Sequence, residues 1–296
     1  MGTEDCFDKR LFTMTTITIA TVTKDGKKYS SQGSAFYYNE ESPAEPGKTG
    51  PQWYKLDKHW LVTNRHVVLP KIDGVECVPD EFVFCLREVD NETIKWKPIT
   101  LSKDELLANL KLHPQKNVDV ALVDITTYIK TIIGDMAAKK AKNIMLPTAL
   151  SNLNLPENQP IPIEVTSDII VASYPKGFYD QENKFPIVKS GIIASAWGLN
   201  FKGLPTFQID AQLFPGASGG LVISKPTNTA MINGNLNYCK TKQFVLLGIY
   251  SGEYTWDKEI EIDGKKYYIN TSYGLGNVWY SHLIPTIIKS GVSYIV

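Results

Sequence analysis

Three residue types that together perform acyl transfer sit in this chain in a telling order: His66, then Asp119, then Ser218. The serine lies in Phe214-Pro215-Gly216-Ala217-Ser218-Gly219-Gly220, with apolar, β-rich sequence on both sides. A serine between glycines at a tight bend exposes its hydroxyl, and the bend can aim backbone N–H groups into one small space. An acyl-transfer enzyme needs both a nucleophile and donors waiting where the oxyanion forms. Alone the signal is weak, because Gly-x-Ser-Gly also occurs in plain β-turns. The histidine follows an apolar strand in Trp60-Leu61-Val62-Thr63-Asn64-Arg65-His66-Val67-Val68, where a histidine satisfied at a strand end is the simpler account. The aspartate opens Asp119-Val120-Ala121-Leu122-Val123-Asp124-Ile125, a strand apolar enough to be buried on both faces. A carboxylate there is costly unless something pairs with it. Asp124, further along, reads as an ordinary solvated strand residue.

The order His, Asp, Ser is that of the chymotrypsin arrangement, not of subtilisin or the α/β-hydrolases. The chain resembles trypsin-like serine peptidases of the bacterial, HtrA-related type, without the appended PDZ domain. Thr63-Asn64-Arg65-His66-Val67-Val68 is similar to that group's histidine motif and Asp119-Val120-Ala121-Leu122-Val123 to its aspartate motif. Asp210 through Gly220 resembles its serine motif over the whole run. Val171-Ala172-Ser173-Tyr174-Pro175-Lys176-Gly177 and Val188 through Ser195 resemble two strands of the second barrel. The likeness spans roughly residues 15 to 285.

The resemblance implies an all-β fold: two six-stranded antiparallel β-barrels of the chymotrypsin type, an interlobe helical crossover and a C-terminal helix. One peptidase domain would occupy 1–296, with lobe one at about 10–127, the crossover at 128–167 and lobe two at 168–296. Many short strands separated by Gly/Pro turns agree with barrels better than with a βαβ sheet. Ile17-Thr18-Ile19-Ala20-Thr21-Val22 alternates with the period of a half-buried strand, and Asp25-Gly26 supplies a hairpin turn. Residues 41–52 carry Pro43, Pro46, Gly47, Gly50 and Pro51 and predict a loop. Tyr128, Ile129, Ile132, Ile133, Met136 and Ala137 fall near helical spacing, and Asn152 to Pro162 reads as a linker. Strands are expected near 168–173, 187–196, 206–211, 220–224 and 244–251, then an extra hairpin over 253–276 around Asp263-Gly264. Ser281 to Ser290 reads as a closing helix.

The implied chemistry assigns His66 as general base and then general acid, and Asp119 as the group that fixes the imidazole tautomer. Ser218 is the nucleophile, and the N–H groups of Gly216 and Ser218 form the oxyanion hole. Ser251, in Gly248-Ile249-Tyr250-Ser251-Gly252, resembles the strand that lines substrate and supports the buried aspartate; an exposed strand serine is the plainer reading. Of the other histidines, His59 reads as solvated, His113 as structural, and His282 has no partner in view.

For substrate binding the residues are Gln212, Leu213, Ser251 and Gly252. Gln212 and Leu213 stand where trypsins carry an acidic pocket floor and glutamyl-specific relatives a hydroxyl. An apolar floor favours a small or medium aliphatic residue on the acyl side of the cut, unless Glu253 points inward. The chain also lacks an Ile-Val-Gly-Gly-like start, and Ala217 stands where an aspartate would receive a freed amine, so activation by N-terminal cleavage is not expected.

Composition narrows the remaining classes. Equal counts of 31 basic and 31 acidic residues, with no basic block, argue against a nucleic-acid partner. No run approaches the ~20 apolar residues of a membrane span, and no signal peptide is visible at Met1-Gly2-Thr3-Glu4-Asp5-Cys6. Cys6, Cys77, Cys85 and Cys239 lack metal-site spacing, so neither metal nor other cofactor is expected. Reduced cysteines fit a cytoplasmic protein, although a chain already trimmed of its signal would read alike. The expected partner is a polypeptide substrate; a regulatory protein partner is left unassigned. A binding module whose catalysis has decayed, and an esterase on the same fold, are the competing functions.

Overall fold

The computed structural model describes residues 7–43, 54–90, 93–140, 143–176, 178–263 and 265–294. After a short helix α1 (Phe7–Met14), the alternating segment forms β1 (Thr15–Lys24), with Ile17, Ala20 and Val22 buried. It turns at Asp25 and Gly26, both at positive φ (51° and 73°), the backbone a two-residue hairpin demands. The return strand β2 (Lys27–Pro43) leads to β3 (Tyr54–Thr63), so residues 41–43, expected in a loop, extend a strand instead. Residues 44–53 of that loop lie outside the described residues.

A single helical turn α2 (Arg65–Val68) follows, then the small hairpin β4 (Lys71–Ile72) and β5 (Val75–Glu76). The hairpin β6 (Glu81–Asp90) and β7 (Thr93–Ser102) comes next. Helix α3 (Lys103–Asn109) starts with a capping box, Ser102 and Glu105 each accepting from the other's backbone N–H. Strands β8 (Leu110–Leu112) and β9 (Ala121–Asp124) complete the run. Helix α4 (Thr126–Ala137) occupies the crossover as its periodicity predicts, before the two-residue strands β10 (Ile144–Met145) and β11 (Leu150–Ser151).

Residues 168–280 build the second half from β12 (Asp168–Ser173), β13 (Ile187–Ile193), β14 (Thr206–Asp210) and β15 (Leu221–Ser224). A hairpin follows, β16 (Thr227–Ile232) and β17 (Asn235–Gln243), then two long strands, β18 (Leu246–Ile262) and β19 (Lys265–Tyr280). The last pair contains the expected extra hairpin; Gly264 at its tip is outside the described residues. Helix α5 (Leu283–Ser290) closes the chain.

The all-β class expected from the sequence is what these strands make. β12, β13, β14, β19, β18 and β15 close into a six-stranded barrel. The earlier strands form a nine-stranded sheet ordered β10-β6-β1-β2-β3-β9-β8, with β7 on β6 and β11 on β2. The edge strands β8, β10 and β11 carry it beyond six. One core cluster contains Phe36, Val62 and Val120 from the first sheet, Leu221, Ile249 and Trp279 from the barrel, and Ile284 and Ile287 from α5. Each such fully buried side chain contributes roughly 1.5–3 kcal/mol, so the two halves hold each other along a common apolar seam. No helix among the described residues is long and apolar enough to cross a membrane.

Candidate active site

His66 stands on α2, two residues after the fully buried Asn64. Asp119 precedes β9, flanked by Val118 and Val120, both 0 % exposed. The apolar flanks anchor this segment, and β9 pairs with β3, setting Thr63 opposite Ala121. That register brings the two functional side chains together. Asp119 Oδ1 accepts from the His66 backbone N–H at 2.9 Å, and Oδ2 lies 2.7 Å from His66 Nδ1. A carboxylate acceptor there selects the tautomer with its proton on Nδ1, which leaves Nε2 with a lone pair. The Ser251 hydroxyl donates to the same Oδ2 at 2.7 Å. The part-buried carboxylate is therefore compensated by three donors, which answers the cost its strand-mouth position raised.

Ser218 occupies the turn between β14 and β15. Its hydroxyl donates to the Ser251 carbonyl at 2.8 Å. Among the described residues it makes no hydrogen bond to the His66 ring. Hydroxyl and imidazole belong to one cluster through Ser251, and a rotation about the serine Cα–Cβ bond is what would turn Oγ toward Nε2. Contacts of this kind are often loose without substrate and tighten when it binds.

Two peptide units of the turn are braced through their carbonyls. The Pro215 carbonyl accepts from Lys176 N–H at 2.8 Å and the Ala217 carbonyl from Gly220 N–H at 2.8 Å. In a trans peptide the N–H points opposite to its C=O, so the amides of Gly216 and Ser218 are turned away from these braces. Neither donates to another described residue. Gly216 has φ 92°, and a Cβ there would sit 2.5 Å from Lys176 N and 3.0 Å from Tyr174 O, so glycine is required for conformation and for space alike. Gly219, at φ 82°, lies so close to Ser34 that a Cβ would collide with its carbonyl oxygen.

Two residues not singled out in the sequence hold these segments together. Asn64 donates from Nδ2 to the Asp119 carbonyl at 2.8 Å and accepts through Oδ1 from Gly219 N–H at 2.6 Å. One buried amide thus joins the histidine, aspartate and serine segments. Ser34, on β2, donates its N–H to the Ser218 carbonyl at 2.8 Å and its hydroxyl to the Gly216 carbonyl at 2.9 Å. Its hydroxyl also accepts from Tyr174 N–H at 2.8 Å. A polar residue two positions before the histidine, and a serine in a glycine-containing strand, were the available signals.

The substrate-side residues divide. Ser251 lies on β18 with its carbonyl 2.8 Å from the Ser218 hydroxyl, and Gly252 follows it in the strand. Gln212 is exposed, and Leu213 is 3 % exposed with its side chain in the barrel core. Glu253 reaches across to Leu213, its Oε1 accepting from Leu213 N–H at 2.9 Å, so a carboxylate links the 250–253 segment to the 212–219 segment. A separate cavity of about 490 Å³ opens beside His66. Val22, Tyr29 and Ser31 of the first hairpin line it with Pro70 and Ile72, and none of residues 212–219 or 250–253 does.

Elsewhere the structure revises two readings. His59, expected in solvent, is 9 % exposed, its Nε2 has no partner among the described residues, and burial pulls its pKa below the ordinary value. Asp124, expected to be solvated, accepts from Lys58 Nζ at 2.8 Å and from Thr126 N–H at 3.0 Å. His113 accepts from Gln115 N–H within its own turn, a structural part as read. His282 precedes α5 and stacks on Tyr280 at 5.5 Å. Gly177 and Cys6 lie outside the described residues.

Among curated proteins none matches this chain. Two solved structures are similar to it over nearly its whole length. One is the Rv3671c protease in its inactive form, 14 % identical with a TM-score of 0.44, covering 97 % of this chain and 95 % of that one. The other is Rv3671c from M. tuberculosis H37Rv as a serine-to-alanine mutant, also inactive, 13 % identical at the same TM-score, covering 98 % and 95 %. A family model described as a trypsin-like peptidase domain matches residues 33–229. That stretch begins at the strand carrying Ser34, includes His66 and Asp119, and ends beyond the turn of Ser218. With well over half of its length inside that match, the chain belongs to the trypsin-like peptidase domain family.

Proposed function

We propose that this trypsin-like peptidase is a serine endopeptidase that cuts peptide bonds through an acyl-enzyme. Ser218 attacks the scissile carbonyl while His66 Nε2 takes its proton, and His66 then returns the proton to the leaving amine. Asp119 holds the imidazole and stabilises its charged form; removing such a carboxylate typically costs about four orders of magnitude in turnover. The Gly216 and Ser218 amides receive the oxyanion, each such donor being worth about 3–4 kcal/mol. Water then hydrolyses the acyl-enzyme along the same proton path. The observation that carries this reading is the grip of Asp119 on both the backbone N–H and the Nδ1 of His66.

On the acyl side we propose a small or medium apolar residue. Gln212, Ser251 and Gly252 would flank that residue, and the Glu253 carboxylate, engaged by Leu213 N–H, would not be free to receive a basic side chain. The cavity beside His66 would receive the leaving-group half of the polypeptide. The proposal places this activity in one domain with lobes at about 10–127 and 168–296, in the cytoplasm, without a nucleic-acid or membrane partner.

A second reading, a catalytically silent binding module, draws on one observation: the Ser218 hydroxyl is bonded to the Ser251 carbonyl and not to His66. Labelling with a fluorophosphonate at neutral pH, wild type beside Ser218→Ala and His66→Ala, separates the two. Wild type alone should label, and a peptide library should then be cut after small or medium apolar residues. A folded wild type that does not label favours the silent module, and cuts mainly after Lys or Arg remove the specificity proposal.

A further inference from the structure

Arg87 lies on β6 and is 3 % exposed, a buried cation that no carboxylate pairs with among the described residues. Burying a charge in this way is expensive unless its hydrogen bonds are met. Here they are met by neutral acceptors, two of them, Tyr174 and Lys184, from the other half of the molecule and one, Thr15, from the neighbouring strand β1. Nε and Nη2 donate to the Lys184 carbonyl at 3.0 and 2.8 Å, Nη2 also donates to the Tyr174 hydroxyl, and Nη1 donates to the Thr15 carbonyl at 3.2 Å. The guanidinium also lies over Trp96, 5.1 Å from the ring centre, and over Phe185 at 5.7 Å, both attractive arrangements for a desolvated cation. The Tyr174 ring is fully buried, and burial, partly opposed by the neighbouring charge of Arg87, pushes its pKa up to about 12. The phenol is therefore neutral at physiological pH and serves as a dipole that accepts from Arg87.

Tyr174 and Lys184 are the two ends of the loop that joins β12 to β13. Arg87 is thus a clasp that closes this loop at both ends from outside the barrel. The start of the loop bears directly on the serine turn. Tyr174 N–H donates to Ser34 Oγ, which donates in turn to the Gly216 carbonyl. The Tyr174 carbonyl accepts from Gln32 Nε2 at 3.1 Å. Two residues on, Lys176 N–H holds the Pro215 carbonyl at 2.8 Å, the contact that turns the Gly216 N–H away from the brace.

From this geometry we propose that Arg87 is a positioning residue for the oxyanion site. By clasping Tyr174 and Lys184 it keeps Lys176 against Pro215 and so keeps the Gly216 amide aimed at the reacting carbonyl. It touches neither substrate nor reacting atoms. The proposal rests on the endopeptidase reading for its catalytic consequence, while its structural half stands independently of that reading. A guanidinium suits the task because its fixed fork reaches three acceptors at once, which a lysine ammonium on a flexible stem does not reproduce.

The test compares wild type with Arg87→Met, Arg87→Lys and the milder Tyr174→Phe, each shown by thermal melting to be folded. Removing one oxyanion donor outright lowers kcat about 10²–10³-fold; a donor left in place but poorly aimed should cost roughly tenfold to a hundredfold in Arg87→Met. Affinity for a peptidyl aldehyde, whose adduct oxygen occupies the oxyanion site, should fall in parallel. KM for a peptide substrate and the pH midpoint of kcat/KM should stay near wild type. Arg87→Lys should recover only part of the loss, and Tyr174→Phe should show the same pattern more weakly. Wild-type kcat in Arg87→Met overturns the proposal, as does a kcat loss with undiminished aldehyde affinity. Should wild type prove inactive, hydrogen exchange at the Lys176 amide decides. Faster exchange in Arg87→Met than in wild type upholds the clasp, and unchanged exchange removes it while leaving the endopeptidase question to the labelling experiment.

Discussion

At the scale of single residues, Asn64 carries more of the site than its place beside the histidine suggests. Its side chain is fully buried and uses both ends: Nδ2 on the Asp119 carbonyl and Oδ1 on Gly219 N–H. Replacing it with alanine leaves the Asp119 carbonyl without that donor. Gly219 N–H retains a second acceptor, the Tyr250 carbonyl at 2.8 Å, so the loss falls mainly on the aspartate segment. Leaving one buried group unsatisfied costs about 1–3 kcal/mol. Asn64→Ala should therefore fold, with its unfolding free energy lowered by that amount. Its kcat should drop by roughly tenfold, since a displacement of about 1 Å at a catalytic group costs up to 10²-fold. Steady-state kinetics beside urea unfolding checks both; full activity with lowered stability would make Asn64 a packing residue only. Asn64→Asp should be worse than alanine, because a carboxylate would meet the Asp119 carbonyl where the amide now donates.

Elements position these residues, and α4 shows how one charge secures an element next to the site. Asp124 ends β9 and accepts from Thr126 N–H at the first turn of α4 and from Lys58 on β3. Burial works to raise its pKa, yet the hydrogen bonds from Lys58 and Thr126 outweigh it and the carboxyl sits below its ordinary value. A depressed carboxyl pKa contributes stability that is fully present above the unfolded value of about 4 and is lost as pH falls through the folded one. Asp124→Ala should thus be destabilised by about 1 kcal/mol at pH 7, the size of a lost helix-end bond. Lys58 adds little, because its side chain is 45 % exposed and screened. The gap between the variants should close as the pH is lowered below about 4; a constant gap in urea unfolding from pH 7 to pH 3 would show that charge is not involved. Much of this level was legible in the sequence. The alternation of Ile17 to Val22, the Asp25-Gly26 turn and the spacing of Tyr128 to Ala137 each dictate one backbone form, and β1, its hairpin and α4 follow. Two elements went unread although they carried signals. Ser102-Lys103-Asp104-Glu105 is a capping box for α3, and Asn233-Gly234, both at positive φ, is a hairpin turn between β16 and β17. The site divides the same way. His66, Asp119, Ser218 and Gly216 announce themselves by residue type and order. Arg87, Ser34 and the bond of Glu253 to Leu213 depend on which strands meet, and no local pattern encodes that.

At the scale of the whole molecule the groups proposed to react come from both halves: His66 and Asp119 from the first, and Ser218, with its neighbour Ser251, from the second. Their alignment therefore depends on the seam between the halves. That seam is the cluster holding Phe36, Val62 and Val120 against Leu221, Ile249 and Trp279, and α5 inserts Ile284 and Ile287 into it. If the halves were separate folding units joined by the crossover, damage to the seam would shift them against each other and leave each one folded. With apolar contacts of this extent the expectation is the opposite, one cooperative unit. Ile284 is 0 % exposed, so Ile284→Ala should cost about 2–5 kcal/mol through lost burial and the cavity left behind. The loss should appear equally in both halves. Hydrogen exchange followed by mass spectrometry can read amides of β3 and β19 separately in the same sample. Under increasing urea the slowest amides of both strands should open with one midpoint in wild type, and with one lower midpoint in Ile284→Ala. Two midpoints, with β19 moved and β3 unmoved, would mean two units in contact. The active site would then be an interface between them, held by Asn64, Ser34 and Arg87 and not by the core.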